Sequence, residues 1–344
     1  MKKIAVIGAG WYGCHISKKL LDLGNKVTIF ESQDEIFLGA SGVNQNRLHL
    51  GYHYPRCKRT RSQSKKGFVK FKKEYGFLCE SISENIYAVS DKKSKLPFDR
   101  YLESVSELGP LNKAQGINSI EIKNIENFIN VIEEYINFEK AKKFFSEILN
   151  SYITYNSKIT KESVLQLIEK YDYVIDCTWG KLSDFSFSKY YESNLFHLYK
   201  KKQNNSKFAL TVMDGDFFSI FPWYGEIYSL TNVNKIVLKK FKSFDESLEY
   251  NERIKSDFSF IQEHQQACER QVKEFYPKFL EDFIYFEPKF SNKTKFENSN
   301  DSRYVMIERE KNFIKVFSGK IDTIFDAEEM ILRELNLWSS FAPN

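Results

Sequence analysis

The sequence predicts an α/β fold of two domains, one built on a parallel sheet and one on a mainly antiparallel sheet. Two observations predict it. Residues 4–31 spell a strand, a glycine turn, a helix and a second strand within ~30 residues, the unit that generates parallel sheets. Residues 208–240 hold four short apolar segments separated by turn residues, the pattern of antiparallel strands. A chain of 344 residues is long enough to carry both.

Ile4-Ala5-Val6-Ile7 is continuously apolar, as a parallel strand buried on both faces must be. It runs into Gly8-Ala9-Gly10-Trp11-Tyr12-Gly13, after which Ile16, Leu20 and Leu23 recur at helical spacing, with Lys18, Lys19 and Asp22 facing outward. Gly24-Asn25 ends the helix in a left-handed cap. Val27 to Phe30 is the second strand, closed by Glu31. A Gly-, Ser- and Asn-rich segment leads to Pro55, and Lys65 to Tyr75 predicts a basic amphipathic helix. Ile86 to Val89 and Ile120 to Ile122 are expected strands, and Phe138 to Leu149 a helix. Tyr171 to Asp176 is another buried strand, ending in Cys177-Thr178-Trp179-Gly180. Strands are expected at Phe208–Met213, Phe217–Pro222, Ile227–Leu230 and Ile236–Lys239. Residues 243–280 form one long charged helical stretch that Pro277 ends early. Phe313 to Phe317 is a last strand, and a helix follows to about Leu335.

Composition excludes several classes of function. With 42% hydrophobic and 28% charged residues, the chain has an ordinary globular balance rather than a disordered one. A net charge of +5, spread along the chain, supplies no nucleic-acid footprint, although a mildly basic cleft suits an anionic small molecule. Five cysteines, odd in number and without a CxxC pair, are expected to be free thiols in a reducing compartment. No apolar run is long enough to span a membrane, and the N-terminal apolar run ends in glycines rather than a cleavage site. A cytoplasmic protein with a small-molecule substrate is expected; nothing in the sequence sets an oligomeric state.

The glycines predict a dinucleotide site on a Rossmann-type domain. Gly8 permits the tight turn off the strand, Gly10 lets backbone approach a pyrophosphate, and Gly13 lets helix and sheet pack closely. The helix N-terminus then offers N–H groups and a positive dipole end. Glu31 can accept both ribose hydroxyls, and its charge would repel a 2′-phosphate, so NADP is disfavoured.

Gly39 to Pro55, GASGVNQNRLHLGYHYP, resembles the segment of the D-amino-acid oxidase superfamily that runs along the pyrophosphate and ribityl chain toward the flavin. Its Asn, His, Gly and aromatic pattern is most similar to the hydroxyglutarate oxidase branch. Asp172 to Gly180 and Ser318 to Thr323 resemble further FAD contacts of that superfamily, with Trp179 a departure where small residues are usual. The similarity covers residues 1–60, returns at 172–180 and 316–330, and is lost at 85–150 and 205–300. It implies an FAD-binding domain from 1–80, 150–200 and 300–344, and a substrate domain from 81–149 and 201–299. FAD is the implied cofactor, held by Gly8, Gly10, Trp11, Tyr12, Gly13, Glu31, Ser41, Asn46, Arg47, Leu48, Thr178, Trp179, Gly180, Gly319, Lys320 and Ile321.

His49 and His53, set among Tyr52 and Tyr54, are the candidate catalytic groups, since a neutral imidazole (pKa ~6.5) can take a hydroxyl proton at neutral pH. Lys320 is expected beside the flavin. Arg47, Arg56 and Lys320 are candidate partners of an anion, whereas Arg59 and Arg61 belong to a solvated basic face. Phe221, Trp223 and Tyr228 are candidate pocket walls; His15 and His264 are expected to be structural or exposed. No metal-ligand spacing is present, and no serine has a nucleophile-elbow context. The expected reaction is oxidation of a CH–OH or CH–NH group of a small polar metabolite, a sugar or hydroxy acid preferred, by hydride transfer to flavin N5. The alternative is a non-redox flavin isomerase resembling UDP-galactopyranose mutase, whose usual Gly-Gly-Asn run is here Gly39-Ala40-Ser41-Gly42.

Overall fold

A computed structural model describes residues 1–109, 120–203, 206–297 and 305–338. The chain divides into two compact units: Met1–Asn44, Glu139–Tyr190 and Thr294–Asn344 form the first, Gln45–Phe138 and Tyr191–Lys293 the second.

The first unit is built on β1 (Lys3–Ile7), α1 (Trp11–Asp22) and β2 (Lys26–Phe30). Ile4, Ala5 and Val6 are fully buried, which is why β1 reads as unbroken apolar sequence. Its sheet has six strands in the order Met306–Glu310, Phe313–Phe317, Tyr173–Asp176, β1, β2, Ile153–Thr154. All neighbours pair in parallel except the edge strand Met306–Glu310. Ile4 registers with Val27 on one side and with Tyr173 on the other. Strand order therefore reverses at β1, the topological switch point where open α/β sheets bind ligands. Helix α1 ends as expected: Gly24, at φ +73°, donates to Leu21 O (2.8 Å), and Asn25 donates to Leu20 O (3.1 Å).

In the second unit a large sheet runs Val237–Phe241, Lys189–Lys201, Ile227–Asn232, Phe218–Tyr224, Phe208–Met213, Glu84–Ser90, Ile125–Asn130. Phe283–Phe296 also pairs with Lys189–Lys201. Pairing is antiparallel along this order except between Phe208–Met213 and Glu84–Ser90, which run parallel. One face buries Phe208, Leu210, Tyr228 and Leu230 against Val272 and Phe275 of the helix Phe258–Phe275. A small second sheet pairs Arg47–Leu48 and Cys79–Ser81 with Glu134–Ile136.

Several expectations are corrected. Residues 45–80, grouped above with the nucleotide-binding part, pack in the second unit, as does most of the strand Lys189–Lys201. The single helical stretch over 243–280 is three helices, Phe244–Lys255, Phe258–Phe275 and Phe279–Asp282. Asp257 makes the break, because its carboxylate caps the second helix by accepting from the Phe260 N–H (3.0 Å). Ile120 to Ile122 lies outside any strand. The basic helix runs Lys58–Tyr75, two turns longer than its apolar pattern showed. Its buried face begins with Arg61, Ser64 and Gly67, polar or small residues that hide the periodicity. Helices Phe98–Val105 and Lys161–Lys170 were not expected.

The tightest contact in the first unit is between the glycine turn and α1. A Cβ at Gly13 would lie 1.8 Å from the Gly8 carbonyl oxygen, a backbone atom that cannot yield. Gly13→Ala is expected to lower stability by about 1–3 kcal/mol or more, read as a reduced denaturant midpoint at unchanged slope.

Candidate active site

The nucleotide cradle grows out of β1. Gly8, at φ +95°, turns the chain, and its N–H donates to Phe30 O (2.8 Å). A Cβ on Gly8 would meet the Cys177 carbonyl oxygen at 3.2 Å, so the turn also sits against the strand beyond the switch point. Gly10 caps α1 without a side chain, and a Cβ there would come within 2.8 Å of Ser41 Oγ. Ser41 Oγ itself accepts from the Trp11 N–H (3.0 Å). Glu31, almost fully buried, accepts from the Ala9 N–H (2.6 Å), the Gln33 N–H (3.0 Å) and Ser32 Oγ (3.1 Å). A carboxylate has about four acceptor sites, so capacity for a hydroxyl remains.

Trp11 and Tyr12 contribute differently from the sequence expectation. The Trp11 ring is buried against Phe37 (5.0 Å, stacked) and Phe145 (5.6 Å, edge-on), leaving only its backbone for a ligand. The Tyr12 hydroxyl donates to Lys320 O (2.5 Å) and lies 2.6 and 2.8 Å from the Ser318 and Thr323 hydroxyls. Burial raises its pKa, so it stays a neutral lock on the Ser318–Thr323 turn. Lys320, expected as a catalytic group, has its ammonium 3.1 Å from Asp322, with both side chains buried. That pair occupies its charge, which makes Lys320 part of the frame rather than a free cation. Gly319 is exposed at the turn, and Ile321 opens the short helical turn Ile321–Thr323 before the helix Ile324–Glu334.

Thr178 donates its N–H to Asp176 (2.8 Å), and its hydroxyl accepts from the Leu182 N–H (3.1 Å). Trp179 (φ +59°) and Gly180 (φ +71°) are consecutive left-handed residues, which lays the indole against Phe317 (6.4 Å). That turn accommodates the bulky residue. Its buried Nε1–H has no partner among the described residues. Lys181, which the sequence pattern did not single out, stands 3.8 Å from where a Gly39 Cβ would be. Burial lowers its pKa while the Glu31 charge opposes that.

In the second unit the chain from Asn46 to Arg56 carries the other candidates. Asn46, buried at φ +51°, accepts the Ile136 N–H (2.8 Å), and Leu48 is fully buried. Arg47 donates to Thr211 Oγ1 (3.0 Å) and Ser219 Oγ, and its guanidinium lies 4.0 Å over the Phe221 ring. Burial lowers its pKa while Tyr87 and the Glu133 charge oppose that, and among the described residues its Nε has no partner and it forms no direct ion pair.

Three residues pin the loop that follows. Glu133 accepts the Leu50 N–H (2.7 Å), the Tyr87 hydroxyl (2.6 Å) and Asn85 Nδ2 (3.3 Å), while burial holds it above the usual carboxylate range. Arg61 donates to Tyr54 O (3.0 Å) and Pro55 O (2.7 Å), and Tyr101 donates to Tyr52 O (3.2 Å). The result is a compact ring cluster: His49 to His53 5.6 Å, His53 to Tyr54 5.4 Å, His53 to Tyr87 6.5 Å. Arg61 is thus buried, correcting its place on a solvated face. Arg56 is paired with Asp214 (2.7 Å), and Trp223 and Tyr228 belong to the core rather than to a pocket wall. His15 is structural, held by Glu328 (2.9 Å). Glu133, Tyr87, Thr211 and Ser219 carried no local signal, because their partners come from distant segments.

Comparison with known proteins places this arrangement. Residues 3–43 match the pyridine nucleotide-disulphide oxidoreductase family. The FAD-dependent monooxygenase FPY4 of Fusarium mangiferae is 33% identical over 335 residues, covering 96% of this chain and 90% of that protein. The chain belongs to this family of FAD-dependent oxidoreductases. The FAD-dependent monooxygenase kojA of Aspergillus flavus is similar at 25% identity, covering 97% of this chain and 86% of that one. Two solved structures share the fold. Glycine oxidase from Geobacillus kaustophilus has a TM-score of 0.63 at 10% identity, over 99% and 95% of the two chains. FAD-bound L-α-glycerophosphate oxidase from Mycoplasma pneumoniae has 0.66 at 12%, over 100% and 97%. The fold is the one these two oxidases share.

The cradle fits FAD. The side-chain-free Gly10 at the start of α1 and the Glu31 carboxylate are features an adenine dinucleotide requires, and among the described residues the buried Trp179 N–H is left for a ligand. Glu31→Ala is expected to weaken FAD binding by about 1–3 kcal/mol, measured by flavin release on dilution, and Gly10→Val to yield a flavin-free protein.

Proposed function

We propose that this enzyme oxidises a CH–OH or CH–NH group of a small anionic metabolite, a hydroxy acid or acidic sugar preferred, with Arg47 seating the anion and His53 taking the proton. One observation carries the reading: a buried guanidinium whose partners are hydroxyls and an aromatic face, linked through Tyr87 to the histidine cluster. The Glu133 carboxylate acts on this buried cation through space without bonding it, and a carboxylate or phosphate on the substrate would bond the guanidinium directly. Bound FAD supplies the two-electron acceptor.

The residues divide the remaining work. Arg47, with Thr211 and Ser219 holding its guanidinium, fixes one end of the substrate. Glu133 and Arg61 hold the loop backbone, so the His49 and His53 rings keep their position without a mobile hinge. An alcohol donor needs a base for its hydroxyl proton, and a neutral imidazole provides one. An amine donor loses its proton to solvent and needs none, which is why the histidine cluster favours the alcohol.

A second reading, insertion of an oxygen atom, is favoured by the names of the relatives, both monooxygenases. Anaerobic mixing separates the two. Under the first reading substrate alone bleaches the flavin; under the second, bleaching needs an external reductant and labelled dioxygen appears in product.

Two variants test the residue roles. His53→Gln is expected to retain FAD while flavin reduction slows by roughly 10²–10⁴-fold, and to lose the limb of the pH–rate profile that rises through a single ionisation in the wild type. Unchanged reduction in both His49 and His53 variants removes the base assignment. Arg47→Met is expected to raise KM for an anionic substrate about 10- to 100-fold, the value of a charge-assisted hydrogen bond, with a smaller effect on a neutral analogue.

A further inference from the structure

His197, His264 and Cys268 come together from distant parts of the second unit. His197 stands fully buried on the strand Lys189–Lys201. His264 and Cys268 lie one turn apart on the helix Phe258–Phe275, so both side chains share a face. His197 Nε2 is 2.8 Å from His264 Nδ1, and Cys268 Sγ is 3.8 Å from that same nitrogen. All three atoms fall within 4.8 Å of one another.

The outer nitrogens are already engaged. His264 Nε2 is 3.0 Å from Lys235 O, which accepts only an N–H. His264 Nδ1 therefore carries one lone pair, and both His197 Nε2 and Cys268 Sγ converge on it. One lone pair accepts one good hydrogen bond, so the second group is left without its due. Three lone pairs directed at a common centre resolve the conflict. His197 Nδ1 then donates toward the Tyr285 hydroxyl (3.4 Å), as His264 Nε2 does toward Lys235 O, the support that metal-bound imidazoles ordinarily have.

We propose that His197 Nε2, His264 Nδ1 and Cys268 Sγ bind a divalent cation of borderline softness, Zn²⁺ foremost, with a water as fourth ligand. Two imidazoles and a thiolate suit that class of ion. Tetrahedral Zn²⁺ spaces N and N donors about 3.3 Å apart and N and S donors about 3.6 Å apart, from ordinary bond lengths. The pair at 3.8 Å is near that already, the two imidazoles must part by about half an ångström, and Cys268 Sγ, within 4.8 Å of His197 Nε2, closes on it as the ion enters. Binding releases the Cys268 proton to solvent. The thiolate and the neighbouring Glu269 carboxylate offset the added charge, while the Lys235 ammonium opposes it. Because binding displaces the thiol proton, affinity falls as pH is lowered. The ion would tie the helix to the sheet of the second unit.

The test uses full-length FAD-loaded protein, incubated with Zn²⁺ or Co²⁺ and dialysed. About one metal per chain is expected by elemental analysis. Co²⁺ should give ligand-field bands to the red of the flavin and a thiolate charge-transfer band. Cys268→Ser should abolish the charge-transfer band, and His264→Asn should weaken Co²⁺ binding more than tenfold, with FAD retention reporting that each variant is folded. No metal uptake by the wild type overturns the site and leaves a hydrogen-bonded triad only. Uptake equal in wild type and both folded variants overturns it as surface binding. Should either variant fail to fold, the wild-type Co²⁺ spectrum decides alone: without a thiolate band the site is refuted.

Discussion

The closest constraint in the protein is backbone against backbone, where the start of α1 meets the glycine turn. At Gly13 there is no room even for a methyl group beside the Gly8 carbonyl, and that approach places the first turn of the helix directly over the end of β1. Everything chemical about the first unit depends on it. The dipole and N–H groups of α1 point at a ligand only because the helix begins there, and Glu31 reaches the Ala9 N–H only because β2 ends alongside. The strand Tyr173–Asp176 completes the arrangement by bringing the Cys177 backbone beneath Gly8.

The second unit solves a different problem, that of keeping polar side chains ordered in a largely apolar environment. It does so with buried groups whose partners are complete or nearly so. Glu133 gathers three donors, and Arg61 spends its charge on two loop carbonyls and Glu107. Such groups are costly to bury but impose one geometry, because any other arrangement leaves a charge unsatisfied. Arg47 is the exception, hydrogen-bonded to neutral hydroxyls while the Glu133 charge reaches it only through space, and the exception is where a ligand's charge has something to gain.

The nucleotide cradle was legible in the chain because its parts are local. Strand, turn, helix and ribose acid lie within 31 residues, and each glycine has a steric reason that holds whatever the rest of the chain does. The same locality made Phe138–Leu149, Phe208–Met213 and Phe313–Phe317 readable to the residue. Where polar residues occupy buried positions, as Arg61 and Ser64 do, hydrophobic periodicity fell silent and the helix was read short.

By itself, the sequence determined the dinucleotide unit, the α/β class and the presence of a histidine-bearing loop. Only the tertiary structure decided which charges stay available. It paired Lys320 with Asp322 and Arg56 with Asp214, buried Arg61, and set Arg47 among hydroxyls contributed from residues 211 and 219. It also joined His197 to His264 and Cys268 across 67 residues. The physical reason is common to all of these. A side chain's chemistry depends on its neighbours in space, and pairing between strands and helices distant in the chain chooses those neighbours without leaving a local pattern.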